Sequence, residues 1–378
     1  MNVKYYRNSQ EIKLKNNISM YNLYGNEYKM GYDYGYFNKE NINIQNLYEK
    51  LCDSIKKKKF NEIDFNYIQR KTNNWINKLD KNEHIDFIKG MSKSLNINFK
   101  KILFVIIYFE IFGYYCSIIN TNDNGKNLNL RILDSNKIIC KITKQFKLPL
   151  NIINFNDKYI SIKYYLMANH HTLISNKINY AVKSHYRNNL INILDNEYPI
   201  LFQIFKLYKN SNSIDQFEKK IIDSSLNEKM HILSYDKNKM NLINLHNQKI
   251  SEKKNSGKLY ISDYSKIIDY YYKLPKNKLN TLDNFFELNE ILPTRCRLFS
   301  VINDINNSDI YVNNFIEKNE FVKINLKNSS NDNLEWNQED VNKLLEIAEE
   351  ETRKENTKCK YYLYSILFFM LISYYILV

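Results

Sequence analysis

Ile102-Leu103-Phe104-Val105-Ile106-Ile107-Tyr108-Phe109-Glu110-Ile111-Phe112 runs into Gly113-Tyr114-Tyr115-Cys116-Ser117-Ile118-Ile119. After Asn122-Asp123-Asn124-Gly125 the chain continues to Arg131-Ile132-Leu133-Asp134. Asn-Gly between two strand-like runs is the strongest short-range hairpin signal, because a type I′ turn needs positive φ at both central residues. With Asn124-Gly125 as the loop, counting outward pairs Ile118 with Arg131 and sets Cys116 opposite Leu133. Cross-strand partners share a face, and so do alternate residues along a strand. Cys116, Ile118, Arg131 and Leu133 are therefore expected on one face, with Asp134 just beyond the partner of Cys116. Two readings stand. One is a hairpin with an inert buried cysteine and a surface ion pair. The other is a cysteine freed as a new amino terminus, with a cation and a carboxylate beside it.

The stretch from Ile106 to Ile118 resembles the processing junction of acid ceramidase and N-acylethanolamine acid amidase, cysteine amidases of the N-terminal-nucleophile (Ntn) hydrolase superfamily. The likeness continues through Gly125 to Arg131-Ile132-Leu133-Asp134, where that family carries its arginine and aspartate, with a one-residue offset between Cys116 and the turn. Upstream, Leu23-Tyr24-Gly25-Asn26-Glu27-Tyr28-Lys29-Met30-Gly31-Tyr32-Asp33-Tyr34-Gly35 resembles the entry motif of the related penicillin acyltransferase-like group. The resemblance implies an α+β fold, the four-layer αββα Ntn-hydrolase sandwich. It also implies autocleavage between Tyr115 and Cys116, with Cys116, Arg131 and Asp134 as catalytic residues.

The chemistry follows from what an amide bond requires. A free thiol with a pKa of about 8.5 needs a base or a lowered pKa to attack. Cleavage before Cys116 would create an α-amine, with a pKa near 8, on the nucleophile's own residue. That amine can take the thiol proton, so neither histidine, metal nor cofactor is required. The six histidines show no paired catalytic spacing. In the family reading, Asp134 holds the α-amine and Arg131 orients the scissile group, while substrate attack forms a thioester that water releases as a fatty acid.

Departures from the family are visible. Its glutamate after the hairpin would fall near His185-Tyr186-Arg187, where no carboxylate stands. Its oxyanion-stabilising asparagine would fall near Asp263, whose anion would repel a developing oxyanion unless protonated or turned away. His185 and Asp263 are thus possible accessory residues. For the later arginine the nearest cation is Lys278, and Ser117 replaces the usual threonine. Three functions remain open: a self-processing amidase acting on an N-acylated lipid or amine, a catalytically degenerate membrane-anchored binding or structural relative, and a phospholipase B-like esterase or acyltransferase.

Composition bounds the rest. The 378 residues include only seven glycines, six of them in the entry motif, before the junction, or at the hairpin. A chain so poor in glycine keeps it where backbone shape or close approach demands it. The 32 tyrosines and the wealth of Lys, Asn and Ile fit an AT-rich coding bias. The formal charge of +14 fits that bias as well as an anionic partner. No basic helix, zinc-ligand pattern or RNA-binding signature accompanies it, so nucleic acid is not an expected partner. Five scattered cysteines, an odd number, argue against a disulfide framework and fit a reducing compartment.

Four segments are expected. Residues 1–115 read as a mainly helical α-subunit-like segment, with helices over Ile42 to Lys58, Asp64 to Leu79 and His84 to Leu95. Residues 116–328 read as a β-rich catalytic segment with helices over Tyr198 to Leu207 and Ser213 to Ser224. Residues 329–360 read as an acidic helical spacer. Residues 361–378 form an apolar run just long enough to span a bilayer, preceded by Lys354, Lys358 and Lys360. With no hydrophobic signal core near Met1, that run reads as a single-pass transmembrane tail anchor with the catalytic body in the cytosol, or else as a buried last helix.

Overall fold

The computed structural model describes residues 2–40, 43–57, 65–79, 85–111, 114–123, 126–135, 137–165, 172–175, 177–184, 199–224, 226, 230–245, 249–254, 257–261, 282–291, 297–317 and 320–326. Within them two sheets pack face to face. The larger has ten strands in the order β1 (Asn2–Tyr6), β2 (Ser9–Lys13), β3 (Ile18–Leu23), β6 (Leu150–Phe155), β7 (Tyr159–Tyr164), β8 (Thr172–Ile174), β9 (Asn179–Ser184), β10 (Met230–Tyr235), β11 (Met240–Asn244) and β12 (Lys249–Lys254). The smaller has six, in the order β13 (Gly257–Ile261), β4 (Tyr114–Asp123), β5 (Lys126–Ser135), β14 (Arg297–Asp304), β15 (Asp309–Asn314) and β16 (Phe321–Asn325). Every pairing is antiparallel except β3 with β6.

Helices cover both outer faces. On the ten-stranded sheet lie α1 (Glu27–Asn38), packed against α4 (Asp86–Leu95), and the pair α7 (Ile200–Lys209) and α8 (Ile214–Ile222). Behind them α5 (Phe99–Ile111) meets α2 (Ile44–Lys57), α3 (Phe65–Leu79) and α4, and Ile102 to Tyr108 of α5 are buried at every position. α6 (Lys137–Gln145) follows β5 directly. α9 (Leu282–Ile291) covers the outer face of the six-stranded sheet, where Phe285 packs on Ile119, Leu130, Ile132 and Ile302. The order is helix, sheet, sheet, helix, a mixed α/β architecture.

Residue alternation explains the layering. Leu128, Leu130 and Ile132 of β5 meet α9, while the intervening Arg131 and Leu133 face the other sheet. Ile118 of β4 packs with Ala181, Leu233 and Tyr235 of β9 and β10. Tyr164 of β7 ties the sheets together, its hydroxyl donating to Leu298 O at 2.7 Å or Asn314 Oδ1 at 2.6 Å.

The helical reading of residues 1–115 is corrected at its start, where β1, β2 and β3 precede the first helix. β3 is buried at all six positions, so both of its faces are covered. It therefore lacks the alternation that marks a half-exposed strand. The helices expected before the junction appear at Ile44–Lys57, Phe65–Leu79 and Asp86–Leu95.

The glycines of the 23–35 motif have a packing cause. A Cβ on Gly31 would stand 1.8 Å from Phe87 O, one on Gly90 1.9 Å from Tyr28 O, and one on Gly35 2.0 Å from Ser94 Oγ. α1 and α4 thus cross with backbone against backbone. Gly25 has φ +120°, and the next residue, Asn26, caps α1 by accepting from Lys29 N at 2.8 Å.

Among the described residues no helix is long and apolar enough to cross a membrane. The spacer and tail expected over 329–360 and 361–378 lie outside the described residues.

Candidate active site

β4 and β5 are the second and third strands of the six-stranded sheet, with the register counted from the Asn-Gly loop. Cys116 pairs with Leu133, Ile118 with Arg131 and Tyr115 with Asp134. The loop itself, Asn124-Gly125, lies outside the described residues, as do Gly113, His185, Asp263 and Lys278. Of the sequence-predicted residues, the backbone therefore brings Tyr115, Cys116, Arg131 and Asp134 together. β4 begins at Tyr114, so the Tyr115–Cys116 peptide bond lies within a paired strand.

Arg131 is the charged group at the centre. It is 0% exposed, and Nη2 donates to Val182 O at 2.9 Å, reaching from β5 across the sheet–sheet interface to β9. Removing a guanidinium from water costs several kcal/mol even after relaxation, and packing alone would favour an apolar residue. Its charge is felt by the neighbouring tyrosines. Burial pushes the Tyr235 hydroxyl up to about 12, against which the nearby Asn303 side chain, outside ordinary hydrogen-bond geometry, and the Arg131 charge both pull down. Tyr180 is raised mainly by burial and then by the nearby Tyr208 and Tyr159, with Arg131 opposing.

Asp134 has a second neighbour that the sequence reading missed. On its other side β14 sets Arg297 opposite it, at a register irregularity between Arg297 and Phe299. Arg297 Nη1 donates to Asn289 O at 2.6 Å, and the guanidinium lies 4.2 Å from the Phe315 ring centroid. Reading along the sequence, the nearest cation for the later family arginine is Lys278, which passes over Arg297. The signal that could have found Arg297 is the apolar run Leu298 to Ile302, which marks a strand with Arg297 at its head.

The arrangement sets a cysteine backbone position, a carboxylate position and two arginines on three adjacent strands, β4, β5 and β14. A thiol, a carboxylate and guanidinium groups are residue types that acyl-transfer chemistry can use.

No family model matches this sequence, and no curated protein matches it. Among solved structures, the Caenorhabditis elegans N-acylethanolamine-hydrolyzing acid amidase (NAAA) ortholog is similar at 15% identity and a TM-score of 0.40, over 50% of this chain and 93% of that one. A likeness of that size carries no inference about activity.

Proposed function

We propose that the chain is a self-processing cysteine amidase of the Ntn type, acting on the amide bond of an N-acylated lipid or amine. The observation that supports the reading is the β4–β5 register, which pairs Cys116 with Leu133, one position along β5 from Asp134 and two from the buried Arg131. The junction residues Ile106 to Ile118 supply the resemblance from which the substrate class is taken.

In this reading the Cys116 thiol attacks the Tyr115 carbonyl carbon and the peptide C–N bond breaks, leaving an ester between Tyr115 and sulfur. Water then hydrolyses the thioester, giving a carboxylate on Tyr115 and a free α-amine on Cys116. In turnover that amine accepts the thiol proton, and sulfur attacks the substrate carbonyl. The amine product leaves with a proton, and water releases the acid and restores the thiol. Asp134 holds the ammonium form, and Arg131 supplies fixed positive charge without reorganisation. Arg297 joins them as the cation on the far side of Asp134. Attachment to a membrane through residues 361–378 belongs to the same proposal and would place the enzyme at a lipid substrate.

Cleavage would not separate the two pieces. β3 runs parallel to β6 from Ile18 beside Leu150 to Leu23 beside Phe155, and Asn151 Nδ2 donates to the Tyr34 hydroxyl at 2.5 Å. Intact-mass measurement on purified protein, incubated at neutral and at acidic pH, tests the proposal. Expected are two fragments, 1–115 and 116–378, that stay together until denatured, and a single uncut chain for Cys116→Ala. A wild-type chain that remains whole, with its thiols inert to an electrophilic acyl probe, overturns the catalytic reading.

A further inference from the structure

At the other end of the sandwich, about 20 Å along β4 from Cys116, the sheets part around a cavity of about 330 Å³. It lies among the β6–β7, β8–β9, β10–β11 and β14–β15 turns, so both sheets line it. Ile160, Ile174, Ile305 and Leu326 supply apolar surface. Lys158 and Lys237, both exposed on turns, stand at its rim.

Three carboxamides line the cavity, and one is unlike the others. Asn154 Nδ2 reaches Asn22 Oδ1 at 3.1 Å and Asp157 Oδ1 at 2.7 Å. Asn179 accepts from Ser175 N at 2.9 Å and donates to Tyr235 O at 3.2 Å. Asn303 is 2% exposed, and its Nδ2 makes no hydrogen bond of ordinary geometry, although it lies close enough to the Tyr235 hydroxyl to lower its pKa. An unmet buried donor costs about 1–3 kcal/mol, so its place on a cavity wall calls for an acceptor from a guest. The rim lysines call for negative charge, and the isoleucines for an apolar segment. Asp157, the carboxylate at this rim, already accepts from the Tyr24 hydroxyl and Asn154.

We infer that this cavity binds a small organic carboxylate carrying a short apolar chain, with Asn303 Nδ2 donating to the guest and Lys158 and Lys237 holding its charge. The site is separate from the proposed nucleophile and stands whether or not the chain cleaves itself.

Isothermal titration of the full chain with hexanoate tests it, with inorganic phosphate as the charge-only probe and hexanol as the apolar-only probe. Hexanoate is expected to saturate one site per chain, with phosphate and hexanol at least tenfold weaker. Asn303→Asp, which replaces the donor by an anion, and the paired exposed changes Lys158→Glu and Lys237→Glu should each weaken hexanoate at least tenfold. If Asn303→Asp fails to fold, the lysine pair decides alone. Absence of saturable hexanoate binding, phosphate binding as tightly as hexanoate, or a lysine-pair variant that binds like the parent overturns the inference.

Discussion

At the crossing of α1 and α4, three glycines let one backbone rest on another. In the β4–β5 pair, an arginine fills a wholly buried place between two sheets. Both regions stand out in the sequence, but only the first is explained by packing. At Gly31, Gly35 and Gly90 the missing side chain is the function of the residue, since any Cβ would occupy its neighbour's atoms. At Arg131, packing would be served better by leucine or methionine, and the enclosed guanidinium is held by Val182 O. The two regions therefore divide by physical cause: close approach accounts for the glycines, and it does not account for the enclosed guanidinium.

The sharpest break between the regions comes from paired substitutions. Cys116→Ala is expected to abolish self-cleavage while circular dichroism and the melting temperature stay near the parent's. Gly31→Ala is expected to destabilise by about 3 kcal/mol or more, because its Cβ must push α4 away through Phe87 O. Soluble yield and thermal melting would show it. Folded, cleaving Gly31→Ala protein would remove the packing account of the motif.

Lys163, beneath the same crossing, provides a pH test. Its Nζ lies 5.5 Å from the Tyr34 ring centroid and 5.9 Å from that of Phe87, and burial pushes its pKa down to about 7. Below pH 7 it is protonated in both states, and the fold bears the full cost of an enclosed charge. Between pH 7 and its unfolded value near 10.4 the unfolded chain holds more protons, so stability rises with pH. Melting curves should show a rise worth on the order of a few kcal/mol across that window, flattened in Lys163→Met. An unchanged slope would assign the dependence to another group.

Smaller effects refine the contrast between packing and bridging. Tyr164→Phe removes the hydroxyl shared between Leu298 O and Asn314 Oδ1 inside the sheet–sheet interface. A loss of about 1–3 kcal/mol by chemical denaturation is expected. Asn26→Ala removes the α1 cap, with a loss of about 1 kcal/mol. Equal losses from the two would mean the interface hydroxyl matters no more than an exposed cap.

Legibility followed local signal. The Asn124-Gly125 loop fixed the strand register over ten paired positions, because hairpin pairing is counted from the turn. Helices α2, α3 and α4 were readable from apolar spacing, as in Ile44, Leu47 and Leu51, which are buried along one side of α2. Strands β1 to β3 escaped because β3 is covered on both faces and shows no alternation. Arg297 escaped because its closeness to Asp134 is a property of β14 pairing with β5, more than 160 residues apart in the chain. The cavity around Asn303 gave no signal at all, being assembled from the turns of four separate hairpins.

The sequence by itself determined the hairpin, its register and the residues that could do chemistry on it, since turn geometry and strand alternation act over a few neighbouring residues. Tertiary structure alone decided that Arg131 is enclosed between two sheets, that the 31–35 glycines meet Phe87 and Ser94, and that Arg297 flanks Asp134. Those facts depend on segments far apart in the chain being driven together by burial of apolar surface. That force is non-directional and leaves no local mark on the residues it joins.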